Sequence, residues 1–266
     1  MAEVVNVLSL GAGVQSSALL LMFHHGEITP PLDFAVFADT QCEPAYVYEW
    51  LANLKAIVEP KIPILIGTRG NLADDFLNSP TKTNYLPIPL WGVKDDDGGK
   101  GLGHRQCTKE YKIEVVQKVI RQKLGYKPGQ WMKHEIHLNI GISIDEATRM
   151  RMSRFHNQMN VYPLIEASTS RHGCREYIKS LNIGTPPRSA CWLCPFRSNQ
   201  EWLDMKQNDP ESFQKAVKWD ERIRHHQKGV TKFVHSEYVP LSDANLEDDS
   251  SQLDLFQNDC QGMCGV

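Results

Sequence analysis

Apolar positions in this chain fall into short runs of two alternating kinds. Residues 4–10 (VVNVLSL) form a β-branched stretch that stops at Gly11, and residues 16–25 have helix-forming composition, which predicts strand, glycine loop and helix. The pattern recurs downstream. Residues 33–39 (DFAVFAD) predict a buried strand, 44–58 a helix with Pro44 in its first turn, and 62–67 (IPILIG) another strand. Residues 108–124 have helical spacing, 134–143 return to strand, and 145–153 open a helix with acidic residues in its first turn. Strands alternating with helices predict a parallel sheet of four or five strands joined by right-handed crossovers.

The remaining segments are read from punctuation. Residues 80–106 are rich in glycine, proline and charge, and predict a mobile loop near the site rather than a regular element. Residues 169–184 predict a capped helix closed by Gly184, and Ser198 with Glu201 has capping-box spacing. After Leu241 the composition turns acidic and polar, so the expected organisation is one α/β domain over 1–240 and a flexible tail over 241–266. The chain has no internal repeat.

Composition narrows the class. With 266 residues, 41% of them hydrophobic, the chain can bury a full core as one large domain. The 29 basic and 32 acidic residues give a formal charge of -3, without the overall basicity of non-specific nucleic-acid binders, although a local basic groove stays open. No apolar run approaches the roughly 20 residues that span a bilayer, so no membrane partner is expected and the location expected is the cytoplasm. Seven cysteines without a secretory signal favour metal binding or catalysis over a disulfide framework.

A glycine loop between strand and helix offers backbone N–H groups and the positive helix end to an anion, and Ser16 and Ser17 add hydroxyl donors. Gly11 and Gly13 lack the third glycine of a dinucleotide fingerprint, and no Gly-Lys-Ser/Thr ending makes it a Walker loop. A phosphate cradle and a plain tight turn are both compatible with the loop alone. The stretch SLGAGVQSSALLL, however, resembles the PP-loop of the adenine-nucleotide alpha-hydrolase superfamily. It is closer to the version in the phosphoadenylyl-sulfate (PAPS) reductase family, which has Gln where ATP-cleaving members have Asp; Gln15 stands there. FADTQCEPAYVYEWL resembles that family's Asp-Thr-Gly strand end beside the adenosine, and NIGISIDEATRMRMSR resembles its segment after the fourth strand. In the last segment Ser143 replaces an arginine and Glu146 a glutamine of the reductases. The resemblance implies an α/β, Rossmann-like parallel sheet with a PP-loop. It implies an adenine nucleotide, ATP or adenylyl sulfate/PAPS, held by Ser9, Gly11, Gly13, Gln15, Ser16, Ser17, Asp39, Thr40 and Arg149.

Cys191 and Cys194 have CxxC spacing, compatible with zinc, an iron-sulfur cluster or a redox pair. CTKEYKI, from Cys107, resembles the Cys-Cys segment that assimilatory adenylyl-sulfate reductases carry upstream of their CxxC. That implies a four-iron four-sulfur (4Fe-4S) cluster on Cys107, Cys191 and Cys194, with Thr108 in place of the fourth cysteine and Lys112 at the family lysine. Structural zinc on the same thiols and a histidine such as His104 is the alternative. The terminal MCGV is similar to the reductases' mobile Cys-Gly ending, which makes Cys264 the candidate nucleophile. Cys42 and Cys174 suit buried apolar roles.

Taken with the resemblance, these residues imply sulfonucleotide reduction with a thiol donor such as thioredoxin. The alternative is an ATP-dependent sulfurtransferase that adenylates and thiolates tRNA or DNA from a three-cysteine cluster.

Overall fold

The computed structural model of the chain describes residues 3–79 and 87–247. Five strands form a parallel sheet in the order β3-β2-β1-β6-β7: β1 Val4–Leu10, β2 Phe34–Asp39, β3 Ile64–Thr68, β6 Glu135–Ile140 and β7 Gln158–Val161. This is the parallel α/β sheet that the alternating pattern predicts, in the Rossmann-like form that the resemblance implies.

Its two faces follow from the period-2 geometry of a strand. Val5 and Val7 of β1 and Phe34 and Val36 of β2 point to one side, where they pack with Val116 and Ile120 of α4 (Glu114–Lys123). Leu8, Leu10, Ala35 and Phe37 point to the other, against α1 (Val14–His25), α2 (Ala45–Val58) and α6 (Arg171–Ser180). Helix α1 is therefore covered almost all round, with every residue from Ser17 to Phe23 buried. Its C-terminus closes with His24 and His25 in the last turn and Gly26 in the left-handed region at φ 80°.

Strand β1 is central, and the chain runs from it to β2 and β3 on one side, then crosses to β6 and β7 on the other. The C-terminal end of β1 is thus the switch point at which open α/β sheets bind ligands.

A second apolar cluster packs away from the sheet around Trp202 of α7 (Asn199–Asn208), Trp219 of α8 (Pro210–Ile223) and Phe76 of α3 (Leu72–Leu77). Beside it stands a three-stranded antiparallel sheet of β4 (Trp91–Lys94), β5 (Lys100–Leu102) and β8 (Val230–Phe233), in the order β5-β4-β8. This corrects the mobile-loop expectation for 80–106: from Trp91 the segment is a hairpin, turned at Gly98 (φ 68°) and paired to a strand far away in sequence. Residues 80–86 lie outside the described residues.

Other boundaries shift as well. Residues 145–153 do not form a long helix; a short 3-10 helix at Ile144–Arg149 ends in extended chain. The helix expected over 108–124 opens as a π-helical turn, Thr108–Ile113. Pro44 is the N-cap of α2 rather than a first-turn residue. The capping box of Ser198 and Glu201 is formed. The tail boundary moves too, because Leu241 and Leu246 are buried in the second cluster and the Leu241 N–H donates to Asp220 Oδ2 at 3.0 Å. No described helix is long and apolar enough to cross a membrane.

Candidate functional site

The chain turns from β1 into α1 over residues 11–13. Ala12 sits in the left-handed region at φ 55°, and Gly13 is an extended N-cap without a side chain to cap the helix. The first turn of α1 consequently presents backbone N–H groups and the positive end of the helix dipole at the sheet's C-terminal edge. Ser16 braces the loop, with its Oγ accepting from the Gly11 N–H at 3.2 Å and donating to the Gly13 carbonyl at 3.3 Å. Gly141, just past β6, lies against the start of the helix, and a β-carbon there would fall 2.8 Å from the Ser16 nitrogen. Only glycine allows that approach.

The two remaining polar residues of the loop turn inward. Ser17 is fully buried and its Oγ accepts the Trp50 indole N–H at 2.9 Å. Gln15 is also buried and donates to Ser143 Oγ at 3.3 Å. Ser17, expected as a ligand donor, thus turns its hydroxyl oxygen to the contact between α1 and α2. Ser9 is buried at the end of β1 and faces a small cavity of about 10 Å³, room for a single water.

Gly11, Ala38, Glu43, Lys112 and Ser189 also line that cavity. Next to Glu43 a polar group is buried at the end of β2. Thr40 Oγ1 lies 3.3 Å from Glu43 Oε1 and 3.1 Å from Cys191 Sγ, and Cys191 Sγ lies 3.5 Å from the same carboxylate oxygen. Burial drives the Cys191 thiol well above its ordinary value, with the Glu43 charge adding to the rise and Lys112 opposing it. Glu43 and Ser189 were missed from sequence. The one signal for Glu43 is a carboxylate placed just before a helix-opening proline. Lys112 reaches the cavity from the π-helical turn, a local irregularity frequent at functional sites.

Asp39 stands at the same strand end, its Oδ1 accepting the Gln41 N–H and the Tyr48 hydroxyl, each at 2.8 Å. On the β6 side, Arg149 Nη1 donates to Glu146 Oε2 at 2.6 Å. Glu146 is buried, and burial raises its carboxyl above the usual range, while Arg149, Arg171 and the Gln15 amide pull it back. Loop and arginine are therefore brought together through Gln15, Ser143 and Glu146.

The cysteines are arranged differently from expectation. Residues 191–197 fold as a tight turn around the buried Arg197 guanidinium. That group donates to the Ala190 carbonyl at 2.5 Å and to the Cys191 carbonyl at 3.2 Å from Nε and 3.1 Å from Nη2. The Trp192 N–H donates to the Cys42 carbonyl at 2.8 Å, tying the turn to the end of β2. Cys191 packs in the second cluster with Cys107 against it, whereas Cys194 packs with Ala190 and Phe196. Among the described residues no three His, Cys, Asp or Glu side chains are gathered to hold a metal ion. The 4Fe-4S cluster or zinc expected on Cys107, Cys191 and Cys194 thus has no assembled ligand set among the described residues. Cys42 and Cys174 are buried, and burial pushes each thiol up to about 12, in keeping with apolar roles. Cys264 lies outside the described residues.

Among solved structures, a phosphoadenylyl-sulfate (PAPS) reductase from Candida auris, in its phosphate complex, is similar at 14% identity and a TM-score of 0.43. The match covers 70% of this chain and 76% of that one. No protein-family model matches the sequence. No curated protein matches it either.

Proposed function

We propose that this chain is an enzyme of sulfur metabolism that holds an adenine sulfonucleotide, adenylyl sulfate or PAPS, at the loop between β1 and α1. One observation carries the reading. An uncapped helix N-terminus, braced by Ser16 and Gly141, opens at the sheet's switch point beside the buried group of Thr40, Glu43 and Cys191.

In this mechanism the first-turn N–H groups of α1 take the phosphate. Arg149 exchanges its Glu146 partner for the anionic end of the substrate, a charge-assisted contact suited to phosphate or sulfate. The Cys264 thiolate attacks the sulfate sulfur, the S–O bond to the nucleotide breaks, and the nucleotide leaves with that electron pair and its phosphate oxygen. A dithiol donor such as thioredoxin then attacks the enzyme thiosulfonate; one thiol displaces sulfite, and the resulting mixed disulfide is resolved by the second. Sulfur(VI) is reduced to sulfur(IV) as two thiols become one disulfide.

The direct assay supplies adenylyl sulfate or PAPS with reduced thioredoxin and measures sulfite. Sulfite and nucleotide should form in equal amounts, and Cys264→Ala should abolish both; no sulfite from either substrate rejects the proposal. The Glu146 carboxylate beside Gln15 favours a second reading, ATP-dependent sulfur transfer, because it returns an acid to a loop that lacks one at position 15. Pyrophosphate release from ATP that depends on added RNA would select it.

A further inference from the structure

At the outer edge of the sheet, along β7, the surface combines unusual exposure of apolar side chains with positive charge. Trp131 is 70% exposed, Met152 91% and Met159 47%. The Trp131 indole is stacked on the His156 ring, centroids 4.3 Å apart and planes tilted by 29°. Two adjoining grooves of about 470 and 480 Å³ share His156, Gln158 and Met159. Trp131 and His156 precede β6 and β7 and so mark the N-terminal edge of the sheet; Met150, next to Arg149, marks the other end of the track. The grooves therefore follow the edge strand from one rim of the sheet to the rim that carries the nucleotide site.

Lys133 and Arg151 line the grooves and are exposed, and exposed Arg154 stands between the lining residues Ser153 and Phe155. The carboxylates beside this track are Glu135, 3.2 Å from His137, and Glu3, 3.4 Å from His134, so the three cations outnumber them by one. Cations flanking an exposed aromatic stack are the elements with which proteins hold single-stranded nucleic acid, the ring taking a base and the cations the backbone. Asn157 and Asn160 add half-buried amides of the kind that meet base edges and 2'-hydroxyls, each with one N–H given to a backbone carbonyl, while Gln158 is buried against Gln117. A second copy of the chain is a poorer occupant. Two-fold self-pairing would set this basic face against itself, in a contact where each residue meets its counterpart's surroundings.

We propose that the β7 edge binds single-stranded RNA, with Trp131 as a base-stacking platform and Lys133, Arg151 and Arg154 along the backbone. The surface lies outside the nucleotide-binding loop, so it stands or falls separately from the proposed reaction.

The test is fluorescence anisotropy of a short, fluorescein-labelled, mixed-sequence single-stranded RNA over a salt series. Trp131→Ala should weaken binding roughly tenfold, as loss of one stacked base does. Arg154→Glu should weaken it too and lower the slope of log affinity against log salt by at least about 0.7, the share of one phosphate contact. Thermal unfolding and adenine-nucleotide affinity of both variants should match the parent, since both side chains are exposed. Four results would overturn the proposal: no RNA binding at low salt, binding indifferent to both substitutions, tighter binding of the same sequence as DNA, or a dimer that Trp131→Ala converts to monomer.

Discussion

Gly141 and Ser16 approach each other more closely than any residue with a side chain at position 141 allows. A β-carbon on Gly141 would lie 2.8 Å from the Ser16 nitrogen, 2.9 Å from its Cα and 3.1 Å from the Gln15 carbonyl carbon. All three are backbone atoms, so the start of α1 or the end of β6 must move to admit one. Gly141→Ala is expected to cost about 1–3 kcal/mol by overpacking and to weaken adenine-nucleotide binding, because the displaced element is the loop itself. Urea unfolding and calorimetric titration of the nucleotide check both halves. A wild-type midpoint with wild-type affinity contradicts the close approach.

Ser16 and Ser17 should separate cleanly. The Ser17 hydroxyl accepts the buried Trp50 N–H at 2.9 Å, so Ser17→Ala strands an indole donor and should cost about 1–3 kcal/mol with little change in nucleotide affinity. Ser16 ties Gly11 to Gly13 from a half-buried position, and Ser16→Ala should instead loosen the loop and weaken the nucleotide. Denaturation midpoints and binding constants for the two variants form the comparison, and equal effects from both would remove the inward assignment of Ser17.

How far the sequence carried depended on the locality of each signal. β1, α1, β2 and α2 were legible because their apolar runs and the intervening glycine loop are contiguous. The β4–β5 hairpin was not, since its partner β8 comes from residues 230–233 and no local pattern encodes a long-range pairing. Strand β7 is only four residues long, with Gln158 buried and Met159 exposed, too short to display a period. For the site, the loop glycines and the ends of β2 and β6 were visible as motifs. The inward rotation of Ser17 was not, because it depends on a tryptophan 33 residues away. Likewise CxxC spacing did not reveal that Arg197 organises the turn and that its two thiols enter different apolar clusters.

His235 gives the fold a pH dependence. It is fully buried; Nδ1 accepts the Glu237 N–H at 3.3 Å, which leaves Nε2–H to donate to Asn199 Oδ1 at 2.9 Å. The Nδ1 contact requires the neutral ring, and burial lowers its pKa below the ordinary 6.5, against opposing pulls from Glu237 and Asp220. The unfolded chain therefore binds the proton first. The stabilisation is present above about pH 6.5 and is lost as pH falls toward the lower folded value. Melting temperature should drop over that interval in the parent. In His235→Gln the contribution should be absent, with a lower but flatter profile, and a parent and variant of identical slope would contradict it.

Glu146 sets how readily Arg149 meets an anion. The carboxylate holds Arg149 Nη1 at 2.6 Å, so a phosphate or sulfate must compete with it for the guanidinium. Glu146→Gln keeps the size and a hydrogen-bonding oxygen but removes the charge. Nucleotide affinity should rise about fivefold, the equivalent of roughly 1 kcal/mol. Stability carries a second signature, because burial raises the Glu146 carboxyl above 4.5 despite Arg149 and Arg171. The folded chain holds this proton more tightly than the unfolded one. The associated stabilisation is full below about pH 4.5 and is lost as pH rises through the folded value, so the charged residue costs stability at neutral pH. Relative to the parent, Glu146→Gln should therefore gain stability as pH is raised from about 4.5 toward neutrality. Paired urea titrations and nucleotide binding across that range measure both effects. Weaker nucleotide binding by Glu146→Gln would show instead that the carboxylate serves the ligand directly, as the ATP-dependent reading requires.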